Sequence, residues 1–544
     1  MSTHRPRRRL YGLHRWVGLL LAPLGLLVFF SGTVATFHEE LDAWAMRGHR
    51  IAPAQDVPGF DLDDAHRVAA AGVPRELRRQ VDISQQPGHP LRFFFHVHEQ
   101  RDGAIVERGV AVDVDPTTLE VLRRRLGERG EALAPSAPGS LSSFFVDLHI
   151  FLLMPETLGL IATGIAGFAL LLLVATGALV HRPTLRRLRR RPRTGSARQL
   201  VGDLHTLIGS WTLPFTGLLA LTGSFLSFAG AVLLPLVAQV AFEGDQEAMF
   251  RTLIGRVEVS DSRDEASLAP LLDDAVARSS GGRVQFVALD QWGEEGANAT
   301  FGVAEPSPFG DTSHHYAYDG HTGALVREKP AFGVRPSFGG SLVDLVARLH
   351  FGTLFGLVTK ALWGVLGLAT CALALLGLAI FTARRRDRRS PAARAVRSMT
   401  VGLGGGLPLG TASAGWTWAI ASSLDGGDVT DAMTVAFLLA LAAAAATGVS
   451  GSVRSGLVRT WIAAGVALAI LPVLAPLGSG MGPFEAWSDR TLRWTVWVDA
   501  AFVVAGVALL VGSSRLARGW PRRRHPEVAP EESTPLGVGR AGPL

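Results

Sequence analysis

The chain has 544 residues, 48% of them hydrophobic, with a mean hydropathy of +0.26. Its apolar residues gather in runs of about 20, the length that a hydrocarbon core of about 30 Å requires, which excludes an ordinary soluble domain and predicts an α-helical membrane protein. The net charge of +6 does not indicate a nucleic-acid partner, because the arginines cluster beside the apolar runs, where the positive-inside bias puts them.

Eight transmembrane helices are predicted, at about 16–37, 157–180, 206–238, 361–382, 402–422, 432–450, 460–478 and 494–513. The first follows Arg5, Arg7, Arg8 and Arg9 and runs into a long polar segment without a small-residue cleavage site, so it reads as a retained helix rather than a signal peptide. Basic segments alternate with the spans: the N-terminus, 182–198 with Arg186, Arg187, Arg189, Arg190 and Arg191, 384–397 with Arg384, Arg385, Arg386, Arg388 and Arg389, then Arg454 and Arg459, then Arg522, Arg523 and Arg524. That alternation predicts cytoplasmic termini and places two long polar segments outside. The chain then divides into a first helix at 1–38, an external α+β domain at 39–147, a second helix at 148–182 and a basic loop at 183–200. A third helix at 201–239, a second external domain at 240–346, a fourth helix at 347–383 and a basic loop at 384–400 follow. Four C-terminal helices at 401–515 and a disordered cytoplasmic tail at 516–544, with Pro526, Pro530 and Pro535, complete it.

In the external domains, 62–71 and 267–278 read as amphipathic helices, and 92–98 and 284–289 as strands. Each domain ends in a hairpin, at 111–122 and 316–326, where Asp, Pro and Gly favour the turn.

The same text is written twice. Leu13-His14-Arg15-Trp16-Val17-Gly18 answers Leu204-His205-Thr206-Leu207-Ile208-Gly209, and in register Pro23 answers Pro214, Ser31-Gly32 answers Thr222-Gly223, and Phe37 answers Phe228. Asp147-Leu148-His149 answers Arg348-Leu349-His350, and after a one-residue slip Gly164, Gly167 and Gly177 answer Gly364, Gly367 and Gly377. The duplicated unit is helix, external domain, helix; two copies in one orientation predict a parallel repeat with a four-helix core. The last four spans carry no histidine and read as a scaffold or docking surface.

Ionisable groups at membrane depth are costly and mark function. His14 and His205 open equivalent helices on the cytoplasmic side, and His149 and His350 precede equivalent helices on the outer side. A lone histidine at a helix end serves more often as an interfacial anchor, but four in two matched pairs favour ligands. Two opposing imidazoles can supply both axial ligands of a b-type haem, with Gly18 and Gly209 one turn along the same faces leaving room for a porphyrin. The expectation is two haem b groups, one near each face. His38 and His181 are weaker haem candidates, since their repeat counterparts are Ala229 and Phe381, and either can replace a partner or sit near a propionate. Arg15 is a candidate propionate partner or a positive-inside anchor. Glu156 and Lys360, before the second and fourth spans, either tune the outer site or snorkel. His96 and His98 share a strand face and His314-His315 lies in the second domain; both pairs either touch a metal chelate or, the more common case, are exposed surface histidines, so haem iron is the only bound metal expected. The single cysteine, Cys371, excludes intrachain disulfides, Cys-ligated zinc and iron–sulfur clusters.

The Leu-His-Arg-Trp-x-Gly opening with Ser31-Gly32, the Phe37-His38-Glu39-Glu40-Leu41 exit, the Asp115-Pro116-Thr117 hairpin and the Leu-His starts at His149 and His350 resemble the PepSY-associated transmembrane family, often labelled iron-regulated membrane proteins. The resemblance covers about residues 10–385. It implies PepSY-like external domains in the periplasm, a place in the bacterial inner membrane, and similarity to ferric-siderophore reductases, which bind two haems between four spans and free iron for uptake. Carried over residue by residue, it makes His14, His205, His149 and His350 the ligand candidates. The four extra C-terminal helices depart from the shortest family members.

The implied partners are a ferric siderophore or other ferric chelate outside, and the lipid bilayer around the spans. No GxGxxG strand–helix unit is present, so a quinol or a separate reductase is the expected electron donor. Two further readings stand beside this one: a haem-free, membrane-anchored PepSY regulator or binding protein, and a transporter. The spans lack the paired carboxylates or broken midplane helices of an ion-coupled transport site.

Overall fold

The structure, a computed structural model, describes residues 4–101, 104–181, 188–189, 191–194, 196–245, 249, 265–307, 311–331, 333, 335–383, 390–424 and 427–518. Arg186, Arg187, Arg190, the arginines at 384–389 and the tail from 519, with Arg522, Arg523 and Arg524, lie outside the described residues.

The first unit runs α1 (His4–Ala35), α2 (His38–Ala45), α3 (Leu62–Ala70), β1 (Gln80–Ser84), β2 (Leu91–Arg101), β3 (Ala104–Val114), β4 (Val121–Glu128), α4 (Ser140–Ile150) and α5 (Glu156–His181). The second runs α6 (Ala197–Phe228), α7 (Leu234–Ala241), α8 (Leu268–Arg278), β5 (Arg283–Asp290), β6 (Asn298–Glu305), β7 (Thr312–Asp319), β8 (Leu325–Pro330), α9 (Phe338–Phe351) and α10 (Leu357–Ala383). Beyond the repeat come α11 (Pro391–Gly404), α12 (Gly406–Leu424), α13 (Thr430–Ser450), α14 (Val453–Leu474) and α15 (Val496–Arg518).

Among the described residues, seven helices are long and apolar enough to cross a bilayer: Arg8–Ala35, Glu156–Val180, Arg198–Ala241, Leu357–Thr382, Thr430–Ser450, Val453–Ser479 and Arg493–Arg518. The eighth expected span, 402–422, falls on α11 and α12, which break at Gly405. Thr411, Ser413, Thr417, Ser422 and Ser423 lower the apolarity of α12, and the helix tolerates them because it is wrapped by α13 and α14 with Gly406, Gly410, Gly415 and Trp418 buried.

The two external segments do not make two separate sheets. All eight strands form one antiparallel sheet in the order β4-β3-β2-β1-β5-β6-β7-β8. β1 alternates buried and half-buried residues, so Val81 and Ile83 share a face with Leu289 and Val287, their partners across the β1–β5 junction. The junction is symmetric about Asp82 and Ala288, and it relates one repeat to the other. α3 and α8 cover the face that carries Phe93, Phe95, Phe301 and Tyr318. Each large buried aromatic there contributes about 2–3 kcal/mol relative to exposure. Asp61 caps α3 by accepting from the Asp63 and Asp64 amides, and Asp63 in turn accepts from Leu268 N at 2.7 Å and Ala269 N at 3.0 Å, capping the other repeat's helix.

Below the sheet, α1, α5, α6 and α10 form a ring in which α1 and α6 each pack against both α5 and α10. Small residues permit the close approach: a Cβ on Gly164 would lie 2.6 Å from the Phe228 ring, and one on Gly364 would lie 3.1 Å from Phe37, its repeat equivalent. The C-terminal helices dock on α2 and α4. Trp44 packs on Trp418 with ring centres 5.3 Å apart, and Phe144 packs on Phe437 at 5.6 Å. Arg47, fully buried, pairs with Asp499 at 2.6 Å, and Trp44 Nε1 donates to the same carboxylate at 2.7 Å.

Candidate functional site

The repeat brings its histidines to the two ends of the four-helix ring. Away from the sheet, a cavity of about 420 Å³ lies between α1, α5, α6 and α10 and is lined by His14, Gly18, Gly177, His205, Gly209 and Gly377 among others. His14 stands on α1 and leans on α5, with Nδ1 3.0 Å from Thr176 Oγ1. That hydroxyl also lies 2.7 Å from Leu172 O, and when it donates there it accepts from an imidazole protonated on Nδ1. The other repeat has Leu376 in the place of Thr176, and His205 Nδ1 donates instead to the main-chain oxygen of Leu373 at 3.2 Å. The seats are matched too: a Cβ on Gly177 would lie 3.3 Å from His14 Cε1, and one on Gly377 would lie 3.4 Å from His205 Cε1.

At the sheet end, the second pair rides on helices that stop short of the spans. α4 ends before Leu152 and Leu153, both with positive φ, and Pro155; α9 is capped by Ser337 and ends at Gly352 in the left-handed conformation. His149 and His350 sit in the last turns of these helices, and their ring centres are 6.2 Å apart. His149 Nδ1 donates to Val28 O at 3.0 Å. His350 Nδ1 lies 2.9 Å from Thr222 Oγ1, which also lies 2.8 Å from Leu218 O. His149 therefore carries its lone pair on Nε2, and His350 does so when the Thr222 hydroxyl donates to Leu218 O, the state in which a histidine binds metal while its other nitrogen is held from behind. The Ser31-Gly32 and Thr222-Gly223 signatures are the seats of these rings: a Cβ on Gly32 would lie 2.7 Å from His149 Cε1, and one on Gly223 would lie 2.9 Å from His350 Cε1.

The remaining candidates fall differently. His38 is exposed, opens α2 and has Nδ1 3.0 Å from Ala35 O, away from both pairs. His181 closes α5, and its side chain lies outside the described residues. Arg15 lines the cavity with its guanidinium 5.1 Å from the Trp16 ring centre. Glu156 is exposed in the first turn of α5, whereas Lys360 is buried and bonds Glu39 at 2.7 Å and Glu40 at 2.9 Å, so it ties α10 to α2 rather than snorkelling. Asp147, on α4, is pushed up to about 6 by burial and then by Asp428. His96 is buried, against the expectation of a surface residue, with its ring stacked on Phe94 at 4.8 Å and lying 5.4 Å from that of His98. The orienting roles of Thr176, Thr222, Val28 O and Leu373 O leave no pattern of their own along the chain; the doubled Thr/Ser-Gly and Gly177/Gly377 signatures are the signal that points to them.

The signature of the PepSY-associated TM region matches residues 11–384. An uncharacterised protein of Pseudomonas aeruginosa strain PAO1 is 28% identical over 395 residues, which cover 68% of this chain and 94% of that one. The family match takes in both repeats, the sheet and all four histidines, and it ends before α11. By that match this multi-pass membrane protein belongs to the PepSY-associated transmembrane family.

Proposed function

We propose that the chain is a two-haem electron carrier of the bacterial inner membrane, with cytoplasmic termini, that reduces a ferric siderophore on the sheet side and so frees its iron. The observation that supports this reading is the set of four imidazoles at two depths, each with its Nδ1 within hydrogen-bond reach of an oxygen on a neighbouring helix.

The residues fit haem b. A metal–imidazole bond is about 2.0–2.1 Å and the nitrogen lies about 1.1 Å from its ring centre, so two imidazoles on opposite sides of one ion would have centres roughly 6.3 Å apart. The His149 and His350 centres are 6.2 Å apart. The inner cavity of about 420 Å³ lies in the size range of cofactor sites, and its walls are largely apolar, with Leu19, Leu173, Leu213 and Leu373 among the residues that line it with His14 and His205. Haem when bound supplies one-electron transfer, with a potential set by its axial ligands and their hydrogen bonds. Val28 O and Thr222 orient the outer imidazoles, Thr176 and Leu373 O the inner ones. Arg15 and Arg198 line the inner cavity and offer cations to carboxylate groups there. At the far end, one electron converts ferric to ferrous iron, which hard oxygen donors hold less tightly, so reduction releases the ion. A quinol or a separate reductase supplies the electrons.

An absorption spectrum of the purified protein tests the proposal. Two b-type haems per chain are expected, with His205→Ala and His350→Ala each losing one. A colourless protein overturns the reading in favour of a haem-free regulator or binding protein, and two haems in both variants overturn the ligand assignment.

A further inference from the structure

The sheet has a second face, which α3 and α8 leave uncovered. Alternation along β2 sends Phe93 and Phe95 into the core and Phe94, His96 and His98 to the opposite side. β3 is paired so that Glu107 stands directly across from His98 and Gly109 across from His96. One donor atom from each of His96, His98 and Glu107 lies within 4.8 Å of the other two. A metal with ligands at about 2.0–2.2 Å holds its donors about 3.0–3.5 Å apart, so small rotations of these side chains close the set.

The cluster is built from behind. The His96 ring stacks on Phe94 at 4.8 Å and 9°, and its Nδ1 donates to Phe94 O at 3.2 Å, which leaves the lone pair on Nε2. Glu107 Oε2 accepts from Arg129 Nη1 at 2.5 Å, while Oε1 is 3.5 Å from His98 Nε2. Arg129 is fixed in turn by Asp82 at 2.8 Å and by the Phe94 ring at 5.5 Å. The His98 and Glu107 side chains are 30% and 29% exposed, which keeps one side of the cluster open to solvent.

The fold does not need these residues. By the symmetry of the β1–β5 junction, the positions equivalent to His96, His98 and Glu107 are Gly302, Ala304 and Ser313, and the second repeat builds the same strands with them.

We infer that His96, His98 and Glu107 form a binding site for a divalent first-row transition ion, with Arg129 as the positioning residue for the carboxylate. Two imidazoles and one carboxylate on one side of an ion suit Zn²⁺, Fe²⁺ or Co²⁺, leave coordination positions open on the solvent side, and disfavour Ca²⁺ and Mg²⁺, which take oxygen ligands.

The test uses full-length, tag-free protein in detergent micelles, stripped by a chelator and titrated with Zn²⁺ at neutral pH by calorimetry. One ion per chain is expected, with millimolar Ca²⁺ failing to compete. His98→Ala and Glu107→Gln should weaken binding at least tenfold, and His314→Ala should leave it unchanged. Arg129→Gln should cost roughly 10–100-fold, as loss of an outer partner does, and Arg129→Lys should restore most of it. Glu107→Gln keeps the shape of the side chain, so zinc lost at an unchanged chelator-stripped melting temperature assigns the loss to the ligand. Wild-type protein that holds no zinc at millimolar concentration overturns the inference, as does wild-type affinity in both His98→Ala and Glu107→Gln.

Discussion

Gly32→Ala is a one-carbon test of the outer pair. The new Cβ would lie 2.7 Å from His149 Cε1 and 2.9 Å from Nδ1, and ordinary contact begins at 3.4 Å, so the ring must retreat by the 0.7 Å between 2.7 and 3.4 Å. Metal–ligand distances tolerate about 0.2 Å, so a shift of that size takes Nε2 out of bonding range. It also strains the bond from Nδ1 to Val28 O, now 3.0 Å, which is worth about 0.5–1.5 kcal/mol. On the proposed two-haem reading, affinity for the outer haem is expected to fall by at least the roughly 10–100-fold typical of a disturbed supporting group. The assay is haem per chain from the reduced spectrum, together with the low-spin electron paramagnetic resonance signal of each haem. Gly223→Ala meets His350 Cε1 at 2.9 Å and should remove the same haem, whereas Gly12→Ala, on α1 with nothing within 4 Å, should keep both. Two haems with an unaltered spectrum in Gly32→Ala would refute the argument that this glycine seats a ligand.

Two further predictions concern the frame around the site. Arg47→Met strands the buried Asp499 carboxylate, and breaking one side of a buried pair costs about 3–5 kcal/mol, read as a lowered thermal unfolding midpoint in detergent. Arg47→Met with Asp499→Leu should recover most of it, and single variants that unfold like the wild type would show that the pair does not hold the C-terminal helices. His66, on α3 with its ring centre 5.9 Å from that of Phe95, is held down at about 4 by burial. Because its folded-state value is depressed from 6.5, the unfolded chain takes the proton first; stability is complete above that value and declines as pH falls from 6.5 towards 4, by up to about 3 kcal/mol. His66→Leu should flatten that decline in amide hydrogen exchange of β2, and an equal acid loss in the variant would assign it elsewhere.

Much of the architecture could be read locally. Periodicity alone gave the amphipathic α3 and α8 and the core strands β2 and β5, because a helix or strand with one buried face repeats its apolar residues at a fixed interval. The eighth expected span falls on α12, which carries glycines and hydroxyl residues that it buries against neighbouring helices, and such burial is invisible in a hydropathy window. His96 likewise reads as a surface residue by its type, and its burial against Phe94 and the β3 backbone follows from the strand pairing.

By itself, the sequence determined the apolar spans, the duplication, and which histidines occupy equivalent places, since each of these is carried by residue type and spacing along the chain. Only the tertiary structure decided that two sheets become one across β1 and β5, that Gly32 and Gly223 seat the outer rings, and that Arg47 meets an aspartate 452 residues away. Those outcomes depend on which edge or face remains open once neighbouring elements have packed. Hydrogen-bond reach and Cβ clearance between distant segments are set by that packing and leave no periodic trace.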